Sequence, residues 1–196
     1  MPRGVSSLTV GTGLPGRFGG WWIIHGRFPG PSLFFVRMAQ ICYLAGDATS
    51  PQAKGAKVIA HICNDQGGWG KGFVLAVSRR WPEPEAAYRR WHRERASNGF
   101  GLGAIQLVQV TPYAWVANMI GQHGMKTGRS SGPPIRYDAV GLCLRKLAGS
   151  ALELAASVHM PRIGCGLAGG RWDRIEPLIT SELIERGVSV TVYDQP

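Results

Sequence analysis

From Ala39 onward the chain alternates between short apolar runs and longer stretches that repeat with a helical period. Ile41–Leu44 and Val58–Ile62 are short, apolar and β-rich, and each reads as a strand. After a glycine-rich stretch, Phe73, Val77 and Trp81 fall on one face of a helix over 73–81. A second helix is predicted over 85–97, with Tyr88, Trp91 and Arg95 in register, followed by two strands over 104–110 and 114–120. The loop 121–134 then leads to a helix with Val140, Leu144, Leu147 and Leu154 near one stripe. A strand ending at Ile163, a second glycine-rich loop, a helix over 174–186 and a last strand over 188–193 complete the pattern. Asp173 and Glu176 have the spacing of a capping box, and Gly187 is placed to end the last helix. There is no internal repeat. Strands alternating with helices predict an α/β fold: a three-layer α/β/α domain around a central mixed sheet.

Length and composition narrow this further. The chain has 196 residues, enough for one domain but too few for two well-buried ones. With 44% hydrophobic and 17% charged residues it is too apolar to be disordered, and it has no unbroken apolar stretch of membrane-spanning length. No membrane partner is expected. Twenty-eight glycines and thirteen prolines disfavour an all-helical fold. Cys42, Cys63, Cys143 and Cys165 are scattered without a CxxC pair, which reads as reduced thiols in a cytoplasmic protein. Residues 1–37 differ from the rest: Arg3, Arg17, Arg27 and Arg37 stand among many glycines and prolines with no acid, and the apolar run Trp21–Ile24 is too short for a secretory signal. That stretch reads as a poorly ordered basic leader, leaving 38–196 as the domain.

The formal net charge of +10 makes a polyanionic or phosphate-bearing partner plausible. Two glycine-rich loops, Asn64–Phe73 and Gly164–Trp172, each follow a strand and precede a helix, where backbone N–H groups cradle phosphates. Two such loops in one small domain suggest a diphosphate held between them. Neither is a nucleotide-hydrolysing P-loop, since Asp65 stands at its first glycine position and Lys71 is followed by Gly72. Gly164, Gly166 and Gly169 match the dinucleotide-binding G-x-G-x-x-G, but the acid expected about twenty residues on is replaced by a late Asp194.

Three segments carry a resemblance: Gly46-Asp47 after the first strand, Trp69-Gly70-Lys71-Gly72, and Met160-Pro161-Arg162-Ile163-Gly164-Cys165-Gly166-Leu167. Over Ala39 to Asp194 the chain resembles the macrodomain family, especially the branch that includes the macrodomain of a chromatin-remodelling helicase and the terminal ADP-ribose protein glycohydrolase. Macrodomains bind ADP-ribose, in keeping with the two-loop reading. The resemblance implies that Asp47, with Ala48 beside it, accepts from the adenine amino group. It implies that Asn64 bonds the distal ribose, that Gly70, Lys71, Gly72 and Phe73 wrap that ribose and its phosphate, and that Gly164, Cys165, Gly166, Leu167, Ala168, Gly169 and Gly170 supply donors to the diphosphate. Taken as residues alone, Asp47 is equally a turn or cap residue and Asn64 a turn residue.

The resemblance also implies an activity: a hydrolase that removes mono-ADP-ribose from acidic side chains of modified proteins, with a non-catalytic ADP-ribose reader and an ADP-ribose 1″-phosphate phosphatase as alternatives. The usual catalytic groups are replaced. Val74 stands where many hydrolytic members have Asp, and Gln122 and Ala168 stand where the glycohydrolase branch has Lys and Asp. Asn64 and a ligand phosphate would then hold the attacking water, with Lys71 stabilising developing charge. His123 is a further candidate, as a general acid or lid residue. Cys165, between glycines at a helix start, has the setting of a lowered thiol but no activating partner, and reads as a packing residue. No metal and no cofactor are expected, because His61, Cys63, His159 and Cys165 lack paired ligand spacing. Arg79, Arg80, Arg89, Arg90, Arg93 and Arg95, opposed by Glu83, Glu85 and Glu94, form either a surface for nucleic acid or poly-ADP-ribose or a solvated face over packed aromatics.

Overall fold

The computed structural model describes residues 21–23, 35–37, 40–124 and 132–194. The chain divides into two units, Met1–Met38 and Ala39–Pro196. In the first, β1 (Trp21–Ile23) pairs antiparallel with β2 (Phe35–Arg37), Trp21 opposite Arg37. Apart from these strands, the predicted leader lies outside the described residues, as does 125–131 of the loop that follows β6.

The second unit is built on a six-stranded sheet: β3 (Ile41–Ala45), β4 (Lys57–Asn64), β5 (Ile105–Thr111), β6 (Ala114–Gln122), β7 (Ser157–Pro161) and β8 (Val190–Asp194), in the order β3-β8-β7-β4-β6-β5. Five strands run parallel, and β5 closes one edge antiparallel to β6, so the sheet is mixed as predicted. β4 lies mid-sheet and is buried along most of its length, hence its near-continuous apolar sequence. Its side chains alternate between two cores. Val58 and Ala60 join Leu144, Leu147, Ile175 and Ile179 of α3 (Tyr137–Glu153) and α4 (Trp172–Ile179). Ile59 and Cys63 join Val77 and Tyr88 of α1 (Phe73–Arg80) and α2 (Glu83–Arg93) on the other face. The layers are therefore helix pair, sheet, helix pair. Among the described residues no helix is long and apolar enough to cross a membrane.

The boundaries differ most from the predicted ones at α2 and α4. α2 begins at Glu83, directly after Pro82, and ends at Arg93, so Arg95 lies beyond it, exposed, with its guanidinium on the His92 carbonyl. Tyr88 is fully buried, whereas Trp91 is half-buried against Phe100 at 4.9 Å between ring centroids. α4 begins at Trp172 with Arg171 as its cap residue, and the predicted capping box does not form. Asp173 instead pairs with Arg171, and Glu176 accepts from the Tyr43 hydroxyl. Pro177 sits inside α4, and the helix widens to a π turn over Thr180–Ile184 before Gly187, at φ 85, donates its N–H to the Ile184 carbonyl and ends it.

A buried polar chain crosses the sheet beneath α2. His61 Nε2 meets Asn118 Oδ1 at 2.7 Å, and Asn118 Nδ2 donates to the Pro84 carbonyl and Gln106 Oε1. On another strand, His159 lies between the Ser157 and Tyr193 hydroxyls. Burial drives both imidazoles down to about 4, with the Lys57 charge adding to the effect at His159. An unfolded chain, with histidines near 6.5, binds more protons than the folded one between the two values, so stability falls as pH drops through that window. The loss is on the order of 3 kcal/mol per histidine across the whole window. Urea unfolding is expected to show a lower midpoint at about pH 5 than at about pH 7, and a smaller drop in His159→Gln. An unchanged midpoint contradicts the burial of these rings.

Candidate functional site

All five parallel strands end at the same edge of the sheet, at Ala45, Asn64, Gln122, Pro161 and Asp194. In an open α/β sheet that edge is where ligands bind. Two adjoining hollows lie there. The first, about 440 Å³, is lined by Asn64, Gly68, Trp69, Gly70 and Lys71 of the first glycine loop together with Ile62, Cys63, Val74, Gln122 and Leu167. The second, about 620 Å³, runs along the second loop from Pro161 to Ala168 and takes in Phe73, Arg79, Tyr193 and Asp194. Ile62, Lys71, Val74, Gln122 and Leu167 line both, so the two form one cleft between the glycine loops.

The second loop is shaped by its own hydrogen bonds. Cys165, Gly169 and Gly170 donate their N–H groups to the carbonyls of Arg162, Gly166 and Gly164. The amides of Gly166, Leu167 and Ala168 have no such partner among the described residues, and they line the cleft at the approach to α4. Gly169 and Gly170 line neither hollow. A Cβ on Gly170 would lie 2.6 Å from the Gly164 carbonyl oxygen, so this glycine closes the loop. A Cβ on Gly166 would meet nothing within 4 Å. Burial pushes the Cys165 thiol up, against an opposing pull from Arg162, so the lowered thiol suggested by its setting is not found.

Asn64 is engaged inside the first loop. Its Nδ2 donates to the Gly68 carbonyl at 2.7 Å, and its Oδ1 accepts from the amides of Gln66 and Gly68 and from the Tyr88 hydroxyl. The side chain borders the first hollow, yet its amide oxygen is committed to holding the loop. Lys71 is exposed and reaches both hollows. Gln122 also lines both, with Nε2 on the Gly124 carbonyl. Asp47 and Ala48 line neither hollow. Asp47 accepts from the Thr49 amide and hydroxyl in a turn, and Ala48 is buried. His123 also stands outside the lining. Its Nδ1 meets Asp65 Oδ2 at 2.6 Å, tying the loop after β6 to the first glycine loop. Burial would raise the Asp65 carboxyl, but the Gly124 amide and His123 outweigh it and hold the group below the ordinary range.

Sequence reasoning assigned no role to several lining residues. Arg162 forms a two-pronged pair with Asp194, at 2.5 and 2.9 Å, while its guanidinium lies 4.9 Å from the Trp172 ring and 5.4 Å from the Tyr43 ring. That pair holds the Asp194 carboxyl below its usual range. Ile62, Trp69 and Tyr193 were likewise given no individual role, and Arg79, read as part of the arginine-rich face, lines the second hollow. Their shared signal is position at or just after a parallel strand or within a glycine loop, which becomes readable once the strand order is known.

No protein-family model matches the chain. A solved macrodomain protein from Streptomyces coelicolor is 66% identical to it, superposes with a TM-score of 0.72, and is covered along 100% of its length by 80% of this chain. The chain belongs to the macrodomain family. This macrodomain is also 33% identical over 164 residues to the chromodomain-helicase-DNA-binding protein 1-like of Danio rerio, matching 78% of the present chain. It spans 15% of that relative's length. A protein named ADP-ribose 1''-phosphate phosphatase from Meyerozyma guilliermondii is 24% identical over 164 residues, with 72% of this chain and 93% of the relative covered.

The contrast between the two glycines of the macrodomain's second loop is testable. Gly170→Ala forces a shift against backbone and is expected to lower Tm by several degrees, whereas Gly166→Ala is expected to leave Tm within about one degree. Thermal denaturation of both variants decides it, and equal losses would contradict the loop geometry.

Proposed function

We propose that this macrodomain binds ADP-ribose along the cleft and hydrolyses mono-ADP-ribose from acidic side chains of modified proteins. The observation that carries the reading is the continuity of the two hollows between the glycine loops. The amides of Gly166–Ala168, which have no backbone partner among the described residues, suit the diphosphate, and the pocket around Asn64, Gly70 and Lys71 suits the distal ribose.

The chemistry follows from what lines the first hollow: among the described residues Lys71 is its only charged side chain, and no carboxylate or imidazole lines it. Water attacks the anomeric carbon of the distal ribose, the carbon–oxygen bond breaks, and the carboxylate leaves with the bonding pair while the water proton passes to a ligand phosphate or solvent. A glutamate carboxylate, with a pKa of about 4.3, departs without a proton donor. A hollow lined, among the described residues, by no general acid therefore suits ester-linked ADP-ribose. Lys71 and the loop amides oppose the negative charge, so positioning and electrostatics supply the effect.

Incubation with a protein mono-ADP-ribosylated on glutamate is expected to release free ADP-ribose. Lys71→Ala should slow release by about a hundredfold, and Gly166→Ala should abolish it by placing a methyl where the diphosphate approaches. Tight ADP-ribose binding with no release would make the protein a reader. Release of inorganic phosphate from ADP-ribose 1″-phosphate would favour the reaction named in the Meyerozyma guilliermondii relative.

A further inference from the structure

One stripe of α2 is given over to the first glycine loop. Glu85, Tyr88, Arg89 and His92 are spaced to share one helical face, and each meets that loop or a group bonded to it. Tyr88 donates to the Asn64 carbonyl at 2.7 Å. His92 occupies the space a Cβ on Gly67 would need, and Gly67 has a φ of 74. Glu85 and Arg89 belong to a closed ring with Trp69. The Trp69 indole donates to Ser78 Oγ at 2.8 Å, Ser78 donates to Glu85 Oε2 at 2.8 Å, Arg89 Nε donates to Glu85 Oε1 at 2.9 Å, and Arg89 returns to the Trp69 carbonyl at 3.1 Å.

This ring grips Trp69 by both its side chain and its backbone. Trp69 is 8% exposed, its indole lies between His61 and Tyr88, each with its ring centroid 5.4 Å away, and the residue lines the first hollow. Ser78, Glu85 and Arg89 themselves line neither hollow.

We infer that Ser78, Glu85 and Arg89 are positioning residues that fix Trp69 and thereby set the cleft's selectivity for a ligand carrying a second, distal ribose. The inference rests on the proposed orientation of ADP-ribose, with its distal ribose in the first hollow. The diphosphate end, built from the second loop, is independent of the ring. Loosening Trp69 therefore weakens the grip on the distal ribose and leaves the rest of the ligand's contacts unchanged.

Calorimetric titration with ADP-ribose and with ADP, which lacks the distal ribose, tests this. The wild type is expected to prefer ADP-ribose. Ser78→Ala and Glu85→Ala should each weaken ADP-ribose binding by roughly tenfold, about 1.4 kcal/mol, while ADP affinity stays within about twofold. Glu85→Gln, whose single amide oxygen can accept from Ser78 or from Arg89 but not from both, should fall between the wild type and Glu85→Ala. Ser78→Ala removes a single oxygen, so it keeps the test usable where Glu85→Ala does not fold. Retention of the wild-type preference in Ser78→Ala, or an equal fall for both ligands, overturns the inference while leaving ADP-ribose binding intact. A wild type that binds neither ligand overturns the proposed function as well.

Discussion

Parallel alignment is the constraint on which the rest depends. Because β3, β8, β7, β4 and β6 all run the same way, their carboxyl ends meet at one edge, and the glycine loops leaving β4 and β7 there open on the same cleft. The strand interiors are buried, and the strand ends, Ile62, Gln122, Pro161 and Asp194 among them, line the cleft. Recognition falls to the residues just past each strand, and those residues must bring backbone close to the ligand. Glycine is suited to that task, and both loops that border the cleft are rich in it.

Close-approach loops lack side chains of their own for stability, and the molecule compensates from outside them. In the first loop Asn64 clasps Gln66 and Gly68, while α2 contributes Tyr88 and Arg89 from above. In the second, Gly170 returns to Gly164, and the Ala168 carbonyl accepts from Ile135 beyond the loop after β6. The site is held by rigid neighbours, which suits a mechanism built on preorganised donors.

Much of this was legible along the chain. The β and helical periods located every sheet strand and helix of the second unit, and the glycines following Asn64 and Ile163 marked both loops of the cleft. What could not be read was which groups satisfy one another. Nothing in the local spacing shows that the Asn64 amide is also held by Gly68 and Tyr88 inside its own loop. Asp173 and Glu176 have capping spacing, yet Arg171 and Tyr43, the latter distant in sequence, take them instead. Gly169 and Gly170 look like their neighbours in sequence, and only the fold of the loop separates those that close it from those that face the cleft. The arginines of α1 and α2 divide in the same way: Arg79 lines the cleft, Arg89 braces Trp69, and Arg95 lies past the helix end. Each of these outcomes is set by tertiary placement, to which local spacing is blind.

The central claim is that one cleft, bounded by two glycine loops, receives a diphosphate at one and a distal ribose at the other. A crystal structure of the protein with ADP-ribose tests it most directly. The account predicts diphosphate oxygens within hydrogen-bond distance of the Gly166–Ala168 amides and the distal ribose against Trp69, Gly70 and Lys71. Density for the ligand elsewhere, over the arginines of α2 or in the groove between α3 and α4, would contradict it.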